Sequence, residues 1–174
     1  MTNEMTMTAT ESTVHSPISM SDILEHWQGH RRLTRRVIES FPEHELFNFS
    51  IGNMRTFAQL VMEFLEIAEP GIAGVATGNW NSFGMDENGN PITIPTTKRE
   101  LLERWDNLTE KINTIWPTVT ADRLMKEELA FGQYAGTVYS SLEYFIDNEI
   151  HHRGQGYVYL RALGIEPPAF YDRS

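Results

Sequence analysis

Apolar residues recur from Ser21 onward at Ile23, Leu24, Trp27, Val37, Ile38 and Phe41, with Thr34 on the same stripe. This is a helical period, and Pro42 stops it. The spacing predicts a first helix over about Ser21 to Phe41, with the Ser21 hydroxyl as its N-cap. After a connection containing Phe47, Phe49 and Gly52, the run Phe57, Leu60, Val61, Phe64, Leu65 and Ala68 predicts a second helix ending near Pro70-Gly71. Gly74, Gly78, Gly84, Gly89, Pro91 and Pro95 then break the chain so densely that 71–97 reads as a long loop, of a length that is often functional. Thr97-Lys98-Arg99-Glu100 matches a capping box, and Leu101, Trp105, Leu108, Ile112 and Ile115 stripe a third helix up to Pro117.

The stretch from Thr118 to Gly136 stays open between a helix and a short extended pair around Arg123 to Leu129. A last helix starts near Thr137, carries Val138, Leu142, Phe145, Ile146, Ile150, Val158 and Leu160, and ends at Gly164 before Pro167-Pro168. Four long amphipathic segments with no repeat at a solenoid period imply an all-α fold, a four-helix bundle.

Composition narrows the class. With 174 residues the chain has the usual size of one domain, and its 40% hydrophobic content is too high for a disordered polypeptide. Residues 1–17, rich in Thr, Ser and Met, lack the basic start and apolar run of a signal peptide; they read as a disordered tail before one domain over 18–174. A net charge of -10 repels phosphate backbones and anionic lipid, so neither nucleic acid nor membrane is expected as a partner. No stretch approaches the ~20 apolar residues of a membrane span. The absence of cysteine removes disulfides and thiolate ligands and fits a cytoplasmic location, so any metal is held by nitrogen and oxygen.

The last helix carries the densest polar chemistry. Asn148 and His152, four apart, share a face with Phe145, and polar groups beside a core-directed ring need hydrogen bonds or a cation. His151 points about 100° away. From spacing alone a hydrogen-bonded helix surface is favoured over metal binding for this His pair, because the residue four before His152 is an amide.

The closing run His151-His152-Arg153-Gly154-Gln155, followed by Tyr159-Leu160-Arg161, Leu163-Gly164 and Pro167-Pro168, resembles the end signature of the DinB family of bacterial four-helix bundles, which is distinct from the DNA polymerase of the same name. The long first helix and a second helix opening as Met54-Arg55-Thr56-Phe57 extend the likeness over nearly the whole ordered chain. The resemblance implies a divalent metal, commonly nickel or zinc, held by one His of the second helix and two His four apart on the last. It also implies a homodimer acting on a small molecule, with thiol-dependent S-transferases and maleylpyruvate isomerase among the relatives. Carried onto this sequence, the three positions fall on Glu63, Asn148 and His152, so two of the three imidazoles are replaced. A degenerate divalent-cation site in a metal-dependent transferase or hydrolase is one expectation; a non-catalytic homodimeric bundle with a lost site is the other.

The remaining candidates have simpler readings. Glu63 projects to the edge of its helix's apolar arc, and Glu66 and Glu69 project to solvent. Glu149 and His151 stand as alternate ligands or proton relays. Arg153 is expected to pair with a neighbouring acid and Gln155 to bond between helices. His26 and His30, four apart, read as surface or interface residues, and Trp80, Phe83, Trp105 and Trp116 are candidates to line a cleft over the helix ends. No nucleophile elbow or phosphate-cradling glycine pattern is present.

Overall fold

The computed structural model describes residues 18–86 and 88–174, so the tail expected to be disordered over 1–17 lies outside the described residues. The first long helix, α1 (Met20–Ser40), begins one turn-position earlier than expected because Ser19, not Ser21, is its N-cap. The Ser19 hydroxyl accepts from the Asp22 backbone while the Asp22 carboxylate accepts from the Ser19 N–H, so two orphan donors of the first turn are satisfied reciprocally. Pro42 ends α1 and opens the short α2 (Glu43–Asn48).

The second long helix, α3 (Phe57–Thr77), is capped by Thr56 and runs straight through Pro70, where the sequence pattern predicted its end. Proline in a helix interior removes one ladder bond and costs about 3 kcal/mol. Continuing buries Ile72 and Val75 completely, which offsets much of that cost at about 1.5–3 kcal/mol for each buried side chain. The two glycines beyond the proline allow it: a Cβ on Gly71 would lie 2.6 Å from the Phe145 ring, and one on Gly74 2.2 Å from Trp80. Only at Gly78, in the left-handed region at φ 85, does α3 stop.

The expected capping box of Thr97 and Glu100 starts α4 (Lys98–Ile115), and a 3₁₀ turn over Trp116–Thr118 follows. The open stretch resolves into a short helix, α5 (Ala121–Leu124), and an antiparallel pair, β1 (Glu127–Ala130) with β2 (Tyr134–Thr137), in the register Glu127 to Thr137 and Ala130 to Tyr134. The chain is therefore mostly helical rather than all-α. Thr137 caps α6 (Val138–Ala162).

α1 packs on α4 and α6, and α3 packs on the same two, so the four long helices close a ring around one core. Trp27, Phe57, Leu65, Trp105, Leu142 and Tyr159 lie inside it. Two residues assigned to the core by periodicity are not in it: Ile150 is 36% and Val158 57% exposed. The α6 face that turns inward instead carries Glu149 and Arg153. Among the described residues no helix is long and apolar enough to cross a membrane.

Candidate functional site

α6 lies between α1 and α3 and offers each a polar pair with i,i+4 spacing. Asn148 and His152 face α3, whereas Glu149 and Arg153, one residue on and about 100° around the helix, face α1.

On the α3 side the structure brings Glu63, Asn148 and His152 together, all half-buried. Glu63 Oε1 accepts from Asn148 Nδ2 at 3.0 Å and stands 3.3 Å from His152 Nε2. Its other oxygen, Oε2, is ion-paired with Arg55, from the turn before α3. Arg55 is held by its backbone as well, since its carbonyl accepts from the Tyr159 hydroxyl at 2.9 Å. Burial works to raise the Glu63 pKa, but the hydrogen bonds from Asn148 and Arg55 and the positive charges of Arg55 and His152 outweigh it and hold the carboxyl below its ordinary value. Glu66, one turn on, is pushed up by its own burial and by the Glu63 charge. The Phe64 ring covers the imidazole of His152 with centroids 6.0 Å apart.

The other ring nitrogen, His152 Nδ1, lies 3.3 Å from Gln155 Oε1. If Nδ1 carries the proton for that bond, the bare lone pair of Nε2 faces a carboxylate oxygen, and only a second proton or a cation between them relieves the repulsion. Asn148 Oδ1 is buried and makes no hydrogen bond. Turning the amide over would set its oxygen against Glu63 Oε1, so the present orientation is the one that keeps the Asn148–Glu63 hydrogen bond.

On the α1 side the cluster is sealed. Glu149 is 1% exposed; it accepts from the Thr34 hydroxyl, with Arg153 Nη1 3.6 Å away. Burial pushes the Glu149 pKa up, against the opposing pull of Arg31, Thr34 and Arg153. Arg153 donates to the His30 carbonyl at 3.2 Å and to Thr34 Oγ1 at 3.0 Å. Arg31 stacks over the Trp105 ring at 4.0 Å and donates to the Trp105 carbonyl; burial lowers its pKa to about 10, leaving it protonated at neutral pH.

The DinB family profile matches residues 5–174. The chain belongs to the DinB family. In fold it is similar to a DinB-like protein from Bacillus subtilis, at 24% identity over 87% of this chain and 99% of that one with a TM-score of 0.66. A second DinB-like protein, from Bacillus cereus, superposes at 18% identity over 87% and 97% with a TM-score of 0.64. No curated protein matches the chain.

The metal expected from the DinB resemblance can be tested against these donors. Two ligands about 2.1 Å from a zinc ion at a tetrahedral angle lie roughly 3.4 Å apart, and Glu63 Oε1 and His152 Nε2 are 3.3 Å apart, so these two atoms suit one edge of a coordination sphere. Gln155 supplies the acceptor at Nδ1 that a metal-bound imidazole ordinarily needs. Asn148 provides a third donor only if its amide turns to present Oδ1. Arg55 opposes any cation at this point. Among the described residues no three His, Cys, Asp or Glu side chains gather closely enough to hold a metal.

Several sequence expectations are corrected. Glu149 is no relay for the Glu63 cluster, because it is sealed on the opposite side of α6. Gln155 bonds His152 and His151 within its own helix rather than between helices. Glu69 is half-buried and paired with Arg104 at 2.6 Å, and Glu66 is half-buried too. His30, read as surface, is 2% exposed. Trp105 and Trp116 are core, while Trp80 lies on Gly74 and donates to Glu128 at 2.8 Å. Phe83 stacks on Phe131, centroids 4.2 Å apart. Arg55 is the site residue that sequence reasoning missed; its place one residue before the Thr56 cap, within reach of Glu63 a little over two turns on, was the available signal.

Proposed function

We propose that this protein is a DinB-family four-helix bundle with a weak divalent-cation site formed by Glu63 and His152, with Asn148 as a conditional third ligand. The observation that carries the reading is the 3.3 Å approach of Glu63 Oε1 to His152 Nε2, with the buried, unpartnered Asn148 carbonyl beside them. A nickel or zinc ion bound there would serve as a Lewis acid on a small-molecule substrate, in a transferase or hydrolase reaction. The chain's own residues hold Glu63 ionised, fix the His152 ring against Phe64 and place Arg55 beside the site as a ready-made anion contact. The homodimer implied by the family belongs to the same proposal and is read by light scattering.

A second reading has one specific observation in its favour: Arg55 already supplies Glu63 with a positive charge. In that case a proton on His152 stands where the cation would, and the cluster only joins α3 to α6. Protein purified without a His-tag separates the two. The first reading expects a rise in melting temperature with excess nickel, zinc or manganese that is lost in Glu63→Gln; no rise with any of the three, and no copurified metal, would leave only the second.

A further inference from the structure

Beyond the Glu63 cluster, on the far side of α6, a cavity of about 710 Å³ opens between α1, α6 and the segment 166–173 that follows α6. Arg32 and Arg36 of α1 strap that segment down: Arg32 Nε donates to the Arg173 carbonyl at 2.8 Å, and Arg36 Nη1 meets Asp172 at 3.2 Å. The cavity wall is cationic and apolar at once. Arg153, Arg161 and Arg173 contribute charge against Glu166, while Ile150, Pro167, Pro168 and Phe170 contribute hydrocarbon and ring surface.

Two donors in this wall have no acceptor. His30 Nδ1 lies 2.9 Å from Arg153 Nη2, and a guanidinium has only hydrogens to offer, so Nδ1 must accept. Burial, with the charges of Arg153, Arg173 and His26, lowers the His30 pKa to about 3, so the ring is neutral and its one proton sits on Nε2. That Nε2–H is buried and makes no hydrogen bond; the same holds for the Tyr157 hydroxyl. A buried donor without a partner is costly to a fold, and both groups are satisfied once a ligand brings an acceptor. The exposed His26 ring stands T-shaped to His30, centroids 4.8 Å apart, and lines the same cavity.

We infer that this cavity is a second small-molecule site, selective for a monocarboxylate with an aromatic or aliphatic body. One carboxylate oxygen would accept from His30 Nε2–H and the other from the Tyr157 hydroxyl. Arg153 and Arg161 would neutralise the charge, and the body would lie on Ile150, Pro168 and Phe170. Glu166, 3.7 Å from Arg161, would be displaced to the rim. The inference rests on none of the residues of the proposed cation site.

Calorimetric titration of the full chain with phenylacetate, and with its neutral isostere phenylacetamide, tests this. Saturable 1:1 binding of phenylacetate is expected, at least tenfold tighter than phenylacetamide, with inorganic phosphate at equal ionic strength failing to compete. Tyr157→Phe removes only an unpartnered hydroxyl, so its melting temperature should equal or exceed that of the parent, while its affinity for phenylacetate falls about fivefold. His30 should report binding directly, through a shift of its Nε2 signal in nitrogen-15 spectra. No saturation at millimolar phenylacetate, equal binding of the amide, or affinity and His30 signals indifferent to Tyr157→Phe would each overturn the site.

Discussion

Asn148 and His152 face α3 and Glu149 and Arg153 face α1, from the same two turns of α6 and with the same spacing, yet the two pairs behave in opposite ways. Towards α3 the acid partner is only half-buried and held below its ordinary pKa by donors that reach it from outside the helix. Towards α1 the acid is sealed and pushed above it. Polarity at a helix face therefore does not by itself distinguish a site from a strut. Access decides: a charge that water and ions can reach is available for chemistry, and one closed into a core is committed to holding helices together.

Breaking the sealed side should have the larger effect on stability. Arg153→Met leaves Glu149 with one guanidinium fewer and strips the His30 carbonyl and Thr34 of their donor, so a loss of about 3–5 kcal/mol is expected in denaturant unfolding. A loss under 1 kcal/mol would show that Glu149 is already neutral in the folded protein and needs no partner.

Restoring an imidazole at the open side sharpens the contrast next. Asn148→His should raise zinc affinity on the order of 100-fold over the parent, because it adds a nitrogen donor four residues before His152 without touching the α1 cluster. Equilibrium dialysis reads the change; unaltered affinity would mean that the α3 side does not converge on a cation. Arg55→Gln is a smaller step in the same direction, on the order of tenfold tighter, since it removes a repelling charge and leaves the donors in place.

The two acids should also leave opposite marks on stability against pH. Glu63, depressed in the folded state, contributes stability that is present above its ordinary value of 4.5 and is lost as pH falls through the depressed value. Glu149, raised in the folded state, contributes stability that is present below 4.5 and lost as pH rises through the raised value. Glu63→Gln should flatten the acid limb of the unfolding curve, and Glu149→Gln should flatten the limb above it. Identical pH profiles for the two variants would contradict the assignment of opposite shifts.

How much of this could be read from the residues follows the same division. Hydrophobic spacing located the long helices, and Thr97 with Glu100 announced its own cap because a capping box is a local device. The continuation of α3 through Pro70 was hidden, since the gain comes from Phe145 and Trp80, both distant in sequence, closing on Gly71 and Gly74. On α6 the apolar period pointed to Ile150 and Val158, and it failed because Arg31 and Thr34 of another helix make the inward burial of Glu149 and Arg153 tolerable. The convergence of Glu63 with Asn148 and His152 came from family resemblance; projection alone had put Glu63 at the margin. Arg55 is not legible as a partner of Glu63 from helical spacing, because it sits in the turn before the Thr56 cap.

The most direct test of the cation site on the α3 side is a calorimetric zinc titration of tag-free protein beside the double variant Glu63→Gln/His152→Gln. The account predicts one weak site in the parent that vanishes in the double variant, while the melting temperature keeps its dependence on Arg153. Zinc binding that survives in the double variant, or none in the parent, would contradict it.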